Sequence, residues 1–249
     1  MPVGRDARRL AAVGRRIREA NPASVAEPLR SDFSSQAQVR ELAERLRERH
    51  PHIHVLVNNA GLVASRRRLT EDGVETTIAV NHLAPFLLTN LLQDGLRDSA
   101  PARVITTSSD AHRGGHLDLD DLNAERRWST WSAYSNSKLA NVLFTRALAR
   151  RLEGTGVTAN CLHPGVIRTR LGRGAQLPIR IGWSLAAVFF GRPRTGADTI
   201  LQLATSEQGG QTSGGYFVDA RPAMPSLEAQ DDEHAERLWA VSERLTGLG

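Results

Sequence analysis

Residues 55–61 read Val-Leu-Val-Asn-Asn-Ala-Gly: an apolar triplet, two of its members β-branched, stopped by a turn of polar and small residues. A compact run of this kind predicts a short buried strand that ends where the chain must bend. The form recurs twice. Residues 103–107 are closed by Ser108-Ser109, and residues 157–162 by His163-Pro164-Gly165. A last strand is predicted around residues 216–219.

Helix-period segments separate these strands. Asp6 can cap a helix to about Glu19 that carries Leu10, Val13 and Ile17 on one face, until Asn21-Pro22 ends it. Residues 25–33 read as extended. Ser34-Ser35 can cap a second helix to about Arg49. Further helices are predicted over residues 71–96, 132–152, 195–205 and 228–245, with an irregular stretch at 110–130. Strands alternating with helices imply right-handed crossovers and a parallel sheet, so the fold class is α/β. In such sheets ligands bind beyond the carboxyl ends of the strands. Asn59, Ser109, Pro164 and Gly165 all fall there.

The 249 residues fit one domain, residues 1–249, without repeats or linkers. With 40% hydrophobic and 24% charged residues the composition is that of a globular chain. The longest apolar candidate, residues 183–190, is far short of the roughly 18 residues that span a bilayer, and the N-terminus lacks the pattern of a secretory signal. A single cysteine, Cys161, excludes an internal disulfide framework, fits a cytoplasmic setting and is expected to be buried and inert. The net charge of +5 invites a nucleic-acid reading. Yet acidic and basic residues interleave, and no aromatic residues alternate with Arg66-Arg67-Arg68, so no nucleic-acid partner is expected. His50, His52 and His54 lack a carboxylate at ligand spacing, and no metal is expected.

Of 32 basic residues one is lysine, Lys138, and one of two tyrosines, Tyr134, lies four residues before it. Chance would place a tyrosine there in about 1% of cases. On a helix the two share a face. A phenol titrating near pH 10 is a poor proton shuttle, and an ammonium beside it would favour the phenolate. Arginine, a planar fork, does not supply a compact charge. Ser109 can donate to an oxygen held near Tyr134. Asn81, four residues before Pro85, can sit where a helix leaves a carbonyl free for water.

Together these residues carry a resemblance. Tyr134-Ser-Asn-Ser-Lys138, the turn at residues 58–61, Ser109, Asn81 and His163-Pro164-Gly165 are similar, in this order, to the short-chain dehydrogenases/reductases. Ser108-Ser109-Asp110-Ala111-His112, residues 137–144 and Arg237-Leu238-Trp239 resemble the retinol-dehydrogenase-like branch in particular, and the likeness runs from about residue 3 to the C-terminus. It implies a Rossmann-like doubly wound parallel sheet. It implies Tyr134 as general acid/base, Lys138 as its tuner and ribose ligand, Ser109 as carbonyl polariser and Asn81 as holder of a water. Asp32, with Phe33 beside it, would meet the adenine. Asn59, Ala60 and Gly61 would pass beneath the adenosine ribose, and Pro164, Gly165, Ile167 and Thr169 would border the nicotinamide. Arg5 would pair with a 2′-phosphate, which favours NADP over NAD.

The glycine-rich turn with which the family begins does not precede Arg5. The sheet is therefore expected without its first strand and first helix, and about 30 residues encoding them are expected in the reading frame upstream. The expected function is an NADP-dependent oxidoreductase interconverting an alcohol and a ketone or aldehyde. An inactive member retained as a binding or scaffold protein is the alternative. Residues 170–194 fall where the family has its substrate loop. Their Leu177, Ile179, Ile181, Trp183 and Phe189 point to a lipophilic substrate, or to packing against the core, a membrane surface or a second subunit.

Overall fold

A computed structural model describes residues 1–165 and 195–249. A first strand, β1 (Val3–Gly4), leads into α1 (Ala7–Ala20), whose Asp6 carboxylate accepts the N–H groups of Arg8 and Arg9 as a helix cap. Next come β2 (Leu29–Arg30), α2 (Gln36–Arg49, capped by Ser35) and β3 (Val55–Asn58). The extended segment predicted at residues 25–33 thus contributes two paired residues. On α1, Leu10 is buried while Val13 is 40% exposed; Gly14, against Pro28, takes the buried position instead.

The helix predicted over residues 71–96 is broken. Gly73, with φ at +74°, turns the chain, and a bridge between Leu69 and Glu75 precedes the first helical residue. α3 (Thr76–Ile78) runs into a π-helical turn at Ala79–Leu83, then α4 (Ala84–Leu91) and α5 (Gln93–Arg97). Pro85 explains the widened turn: it has no N–H to give the carbonyl of Asn81 four residues back.

β4 (Ala102–Thr107) is followed by a 3₁₀ turn at Asp110–Gly114 inside the stretch expected to be irregular. α6 (Thr130–Arg151) starts at a capping box in which Ser129 and Ser132 each accept the other's backbone N–H, and it ends on Arg150 and Arg151, which suit the helix C-terminus. β5 (Val157–His163), α7 (Thr195–Thr205), α8 (Glu207–Gln211), β6 (Tyr216–Val218), β7 (Arg221–Pro222), a 3₁₀ turn at Glu228–Gln230 and α9 (Asp232–Thr246) complete the described chain.

The main sheet has the order β3-β4-β5-β6-β7, parallel except for β7. β1 and β2 form a parallel pair of their own, so the hydrogen-bonded order is interrupted between them and β3. On β3, Val55 and Val57 are 39% and 38% exposed. The pair is joined to the rest through its core: Leu29, Val39 and Leu42 pack with Leu87 and Leu92 of the α4 region. α6 lies between the sheet and α9, burying Leu139, Leu143 and Leu148. Behind it Trp239 closes on Phe86 (ring centroids 4.8 Å apart) and Phe144 (5.9 Å), an aromatic cluster that fixes α9 to α4 and α6. At the solvent edge of that seam Arg150 joins Asp232 and Glu236, and Arg151 joins Glu236. The architecture is the α/β Rossmann-like one expected.

Candidate active site

Three strands deliver their last residues to one place. β3 ends on Asn58, whose buried side chain donates to Thr89 Oγ1 at 3.0 Å and so ties the strand to α4. Exposed Asn59 and Ala60 follow, then Gly61. Thr107, last in β4, donates from Oγ1 to Asn59 Oδ1 at 3.1 Å, which locks the two strand ends together. β5 ends on His163, with Pro164 and Gly165 after it.

α6 crosses this edge with Tyr134 and Lys138 one turn apart, both buried. The Lys138 ammonium lies 5.7 Å from the centre of the Tyr134 ring and donates to the Thr107 carbonyl at 3.0 Å. The Ser109 hydroxyl faces the Tyr134 hydroxyl closely enough to favour its ionised form. The two adjacent serines, Ser108 and Ser109, have different partners. Ser108 Oγ faces inward and donates to the Lys138 carbonyl at 2.7 Å. Ser109 Oγ accepts the Ala111 N–H at 3.2 Å, which occupies a lone pair and leaves its hydrogen to donate.

Asn81 sits in the π-helical turn, fully buried. Its carboxamide is completely used: Oδ1 accepts the Leu62 N–H at 2.8 Å, while Nδ2 donates to the Leu62 carbonyl (3.0 Å) and to Ser137 Oγ (2.9 Å). The side chain thus clamps the chain after Gly61 against α6. Gly61 itself fits closely, because a Cβ there would lie 3.4 Å from Asn81 Oδ1 and 3.6 Å from Lys138 Nζ.

Burial governs the electrostatics. It pushes Lys138 down to about 8. It also raises Tyr134, and the Ser109 hydroxyl offsets this in part. The depression expected for Tyr134 from its lysine is therefore not what this arrangement yields: a dry site disfavours phenolate and ammonium alike, and the ammonium is bonded to a carbonyl. Cys161, enclosed on β5, is driven up to about 12 by burial, as expected of an inert thiol.

The corner formed by β1 and β2 holds Arg5 and Arg30, both exposed, with Arg30 Nε donating to the Arg5 carbonyl at 3.2 Å. Asp32 is part of the same corner. Burial works against its charge, but the N–H and hydroxyl of Ser34 and the two nearby guanidinium groups hold its carboxyl below the usual range. Phe33 packs against the neighbouring core. Ile167, Thr169 and residues 170–194 lie outside the described residues. No group of three potential metal ligands occurs among the described residues, so His50, His52 and His54 are not gathered there.

A nicotinamide nucleotide suits these residues on one structural ground. A buried lysine has three N–H donors, and among the described residues Lys138 meets one acceptor, the Thr107 carbonyl. A ribose would supply the hydroxyl oxygens that the remaining donors need. Sequence reading passed over several residues that build the site. Asn141 donates to the same Thr107 carbonyl at 3.2 Å; its place one turn after Lys138 was the available signal. His112 and His163 both bind the backbone around Ser109, and nothing in their spacing announced it.

A family model described as short chain dehydrogenase matches residues 1–177. Human retinol dehydrogenase 13 is 46% identical over 223 residues, covering 87% of this chain and 67% of that protein; the chain thus spans about two thirds of its length. A solved structure from Mycobacterium paratuberculosis superposes with a TM-score of 0.76 at 34% identity, covering 98% of this chain and 82% of the other. The Pseudomonas aeruginosa RhlG/NADP active-site complex follows with a TM-score of 0.66 at 27% identity, covering 88% and 84%.

Proposed function

The chain belongs to the short-chain dehydrogenase family, and from that membership we propose that it is an NADP-dependent oxidoreductase interconverting a lipophilic alcohol and its ketone or aldehyde. The observation that carries this reading is the Ser109–Tyr134 hydroxyl pair beside buried Lys138, at the carboxyl ends of β3, β4 and β5.

The nicotinamide cofactor, when bound, supplies or accepts the hydride. The protein's part is to hold the carbonyl oxygen and move one proton. In reduction the substrate oxygen takes the place between the two hydroxyls. Ser109 donates to it and polarises the carbonyl, and Tyr134 transfers its proton as charge develops there. Because burial raises Tyr134, the phenol keeps its proton at neutral pH and stands ready as the acid. Lys138 holds the ribose and opposes the charge left on the phenolate. Asn81 fixes the turn after Gly61 so that the floor under the ligand stays in place.

NADP is favoured over NAD by the exposed Arg5–Arg30 corner, which suits a 2′-phosphate through charge-assisted hydrogen bonds, and by the NADP complex among the structural relatives. The lipophilic substrate rests on the apolar content of residues 170–194 and on the name of the retinol dehydrogenase relative. No described helix is long and apolar enough to cross a membrane. A cytoplasmic setting, a single domain and association into a homo-oligomer belong to the same proposal.

The test is nicotinamide oxidation or reduction followed across small polar carbonyls, long-chain aldehydes, and retinoid and steroid alcohols, with Tyr134→Phe as control. NADP-linked turnover that favours the lipophilic members and vanishes in the control supports the reading. Turnover that survives Tyr134→Phe, or a preference for small polar carbonyls, overturns the corresponding part.

A further inference from the structure

The turn that carries Ser109 is gripped by two histidines from different parts of the fold. His112, fully buried, has its Nδ1 2.8 Å from the Ser109 carbonyl, and its Nε2 accepts the Ser226 N–H at 3.0 Å. A carbonyl only accepts and an amide only donates, so Nδ1 bears the hydrogen and Nε2 a lone pair. His163, at the end of β5, uses Nδ1 to accept the N–H of Asp110, the residue next to Ser109, at 3.1 Å. That nitrogen too must be unprotonated. The peptide unit leaving Ser109 is therefore held at its carbonyl by one ring and at its N–H by the other.

This grip sets a hydroxyl. The Ala111 N–H occupies one lone pair of Ser109 Oγ, so the shape of the turn decides where the serine hydroxyl is aimed. An edge-on contact between His112 and Tyr216, with ring centroids 4.9 Å apart, fixes the plane of the first ring against β6. We propose that His112 and His163 are positioning residues for Ser109, effective only as neutral rings, and that His112 couples the Ser109 turn to the segment around Ser226. The proposal rests on the oxidoreductase reading for its effect on turnover; the hydrogen-bond pattern itself does not.

The groups facing the two rings among the described residues agree with neutral forms. Burial holds His112 below its ordinary value; the Ser109 carbonyl and Asp110 work the other way, and Arg113, from the same turn, adds to the lowering. Burial likewise lowers His163, against Asp110 from the 3₁₀ turn and Asp219 from the β6–β7 connection, and His112 adds to the lowering. Tyr216 from β6 completes the set. A proton added to His112 would place two N–H groups nose to nose at Ser226. Added to His163, it would do the same at Asp110.

Asparagine at position 163 offers an acceptor near the place of Nδ1 but cannot titrate; leucine offers none. We expect His163→Leu to lower kcat about tenfold with little change in the KM for NADP, and His163→Asn to recover to within about threefold while showing a shallower acid limb than the parent, the remainder belonging to His112. In a Ser109→Ala background both substitutions should change residual turnover by less than about twofold, because the rings act through that hydroxyl. His163→Leu as active as the parent, or equally costly in the Ser109→Ala background, overturns the proposal. Thermal melts of each variant separate loss of fold from loss of alignment. Nitrogen-15 spectra of the ring nitrogens need no turnover: at neutral pH they should show His112 as the Nδ1–H tautomer and His163 with an unprotonated Nδ1. Charged rings, or the opposite tautomer at His112, overturn the clamp. A parent without any nicotinamide-linked activity counts against the function, while these spectra still decide the clamp.

Discussion

The Lys138 ammonium donates to the main-chain carbonyl of Thr107 across 3.0 Å, so the chain's one lysine is anchored to the end of β4 and not merely aimed toward a ligand. Asn141 shares that carbonyl, and Ser108 in turn holds the carbonyl of Lys138. β4 and α6 are thereby stitched together around the charge. Arginine at this position keeps the charge but cannot fit a planar fork between the Thr107 carbonyl and Gly61, whose Cβ site is 3.6 Å from Nζ. Lys138→Arg is expected to lower turnover at least about tenfold, a barrier increase of roughly 1.4 kcal/mol. Turnover within a factor of two of the parent would remove the assigned role.

The same burial makes Lys138 a determinant of stability. Its value falls from 10.5 unfolded to about 8 in the folded chain. The unfolded state thus binds the proton more tightly, and the stabilising contribution is complete above pH 10.5 and lost as pH falls through about 8. Tyr134, raised by burial, works oppositely only above its ordinary value of 10.0. Melting temperature should therefore rise from pH 8 toward 10 in the parent, and this rise should flatten in Lys138→Met. An unaltered slope would show that the ammonium is solvated in the native protein.

Ser108 and Ser109 are adjacent and chemically identical, yet their substitutions should differ in kind. Ser108→Ala leaves the Lys138 carbonyl without its hydroxyl donor in a buried place, and about 1–3 kcal/mol of stability should go with it. Ser109→Ala removes the proposed donor to the reacting oxygen and should lower kcat by about 100-fold with little change in melting temperature. Chemical denaturation and steady-state kinetics on the pair give the answer. The reverse pattern would assign polarisation to Ser108.

If Tyr134 is the proposed general acid/base, the reaction has a direction that depends on pH. A phenol held above its ordinary value is protonated at neutral pH, the form that reduction needs, whereas oxidation needs the phenolate. Carbonyl reduction should be flat through neutral pH. Alcohol oxidation should climb with alkalinity, approaching about tenfold per pH unit until the phenol titrates. Parallel profiles for the two directions would mean that another group handles the proton.

The sequence made the alternation of strands and helices legible because buried parallel strands are short apolar runs closed by turn residues, as at 55–61 and 157–165. Tyr134 and Lys138 were legible because rarity and helical spacing coincided. The broken helix after residue 71 was not: the apolar periodicity runs through Gly73 and Pro85, and it does not show that Gly73 takes a left-handed turn or that the helix widens rather than stops at the carbonyl Pro85 leaves unbonded. The histidines around Ser109 escaped for a similar reason. Asp110 and His163 are 53 residues apart, and only the β4–β5 pairing makes them neighbours. Paired extension at residues 25–33 shrank to Leu29 and Arg30 because β1 offers β2 two residues to bond.

A last prediction concerns His82, fully buried beside Asn81, with Nε2 2.9 Å from Ser242 Oγ and Phe86 and Phe144 each 6.1 Å away by ring centroid. Burial drives it from 6.5 down to about 3. Unfolding below pH 6.5 then takes up a proton that the native state refuses, so stability is complete above 6.5 and is lost as pH falls toward about 3. The loss attributable to this one site approaches about 1.4 kcal/mol per pH unit inside that window. His82→Phe fits the aromatic niche, and Ser242 keeps its bond to the Leu238 carbonyl. The variant should therefore fold and show a shallower acid limb, with proton uptake on unfolding reduced by about one. That uptake is read from the pH dependence of urea or thermal unfolding. Because His112 and His163 also sit below their ordinary values, the limb should shrink without vanishing. An acid limb identical in parent and variant would mean that His82 is already charged in the native core, with Ser242 and an added water or anion holding it there.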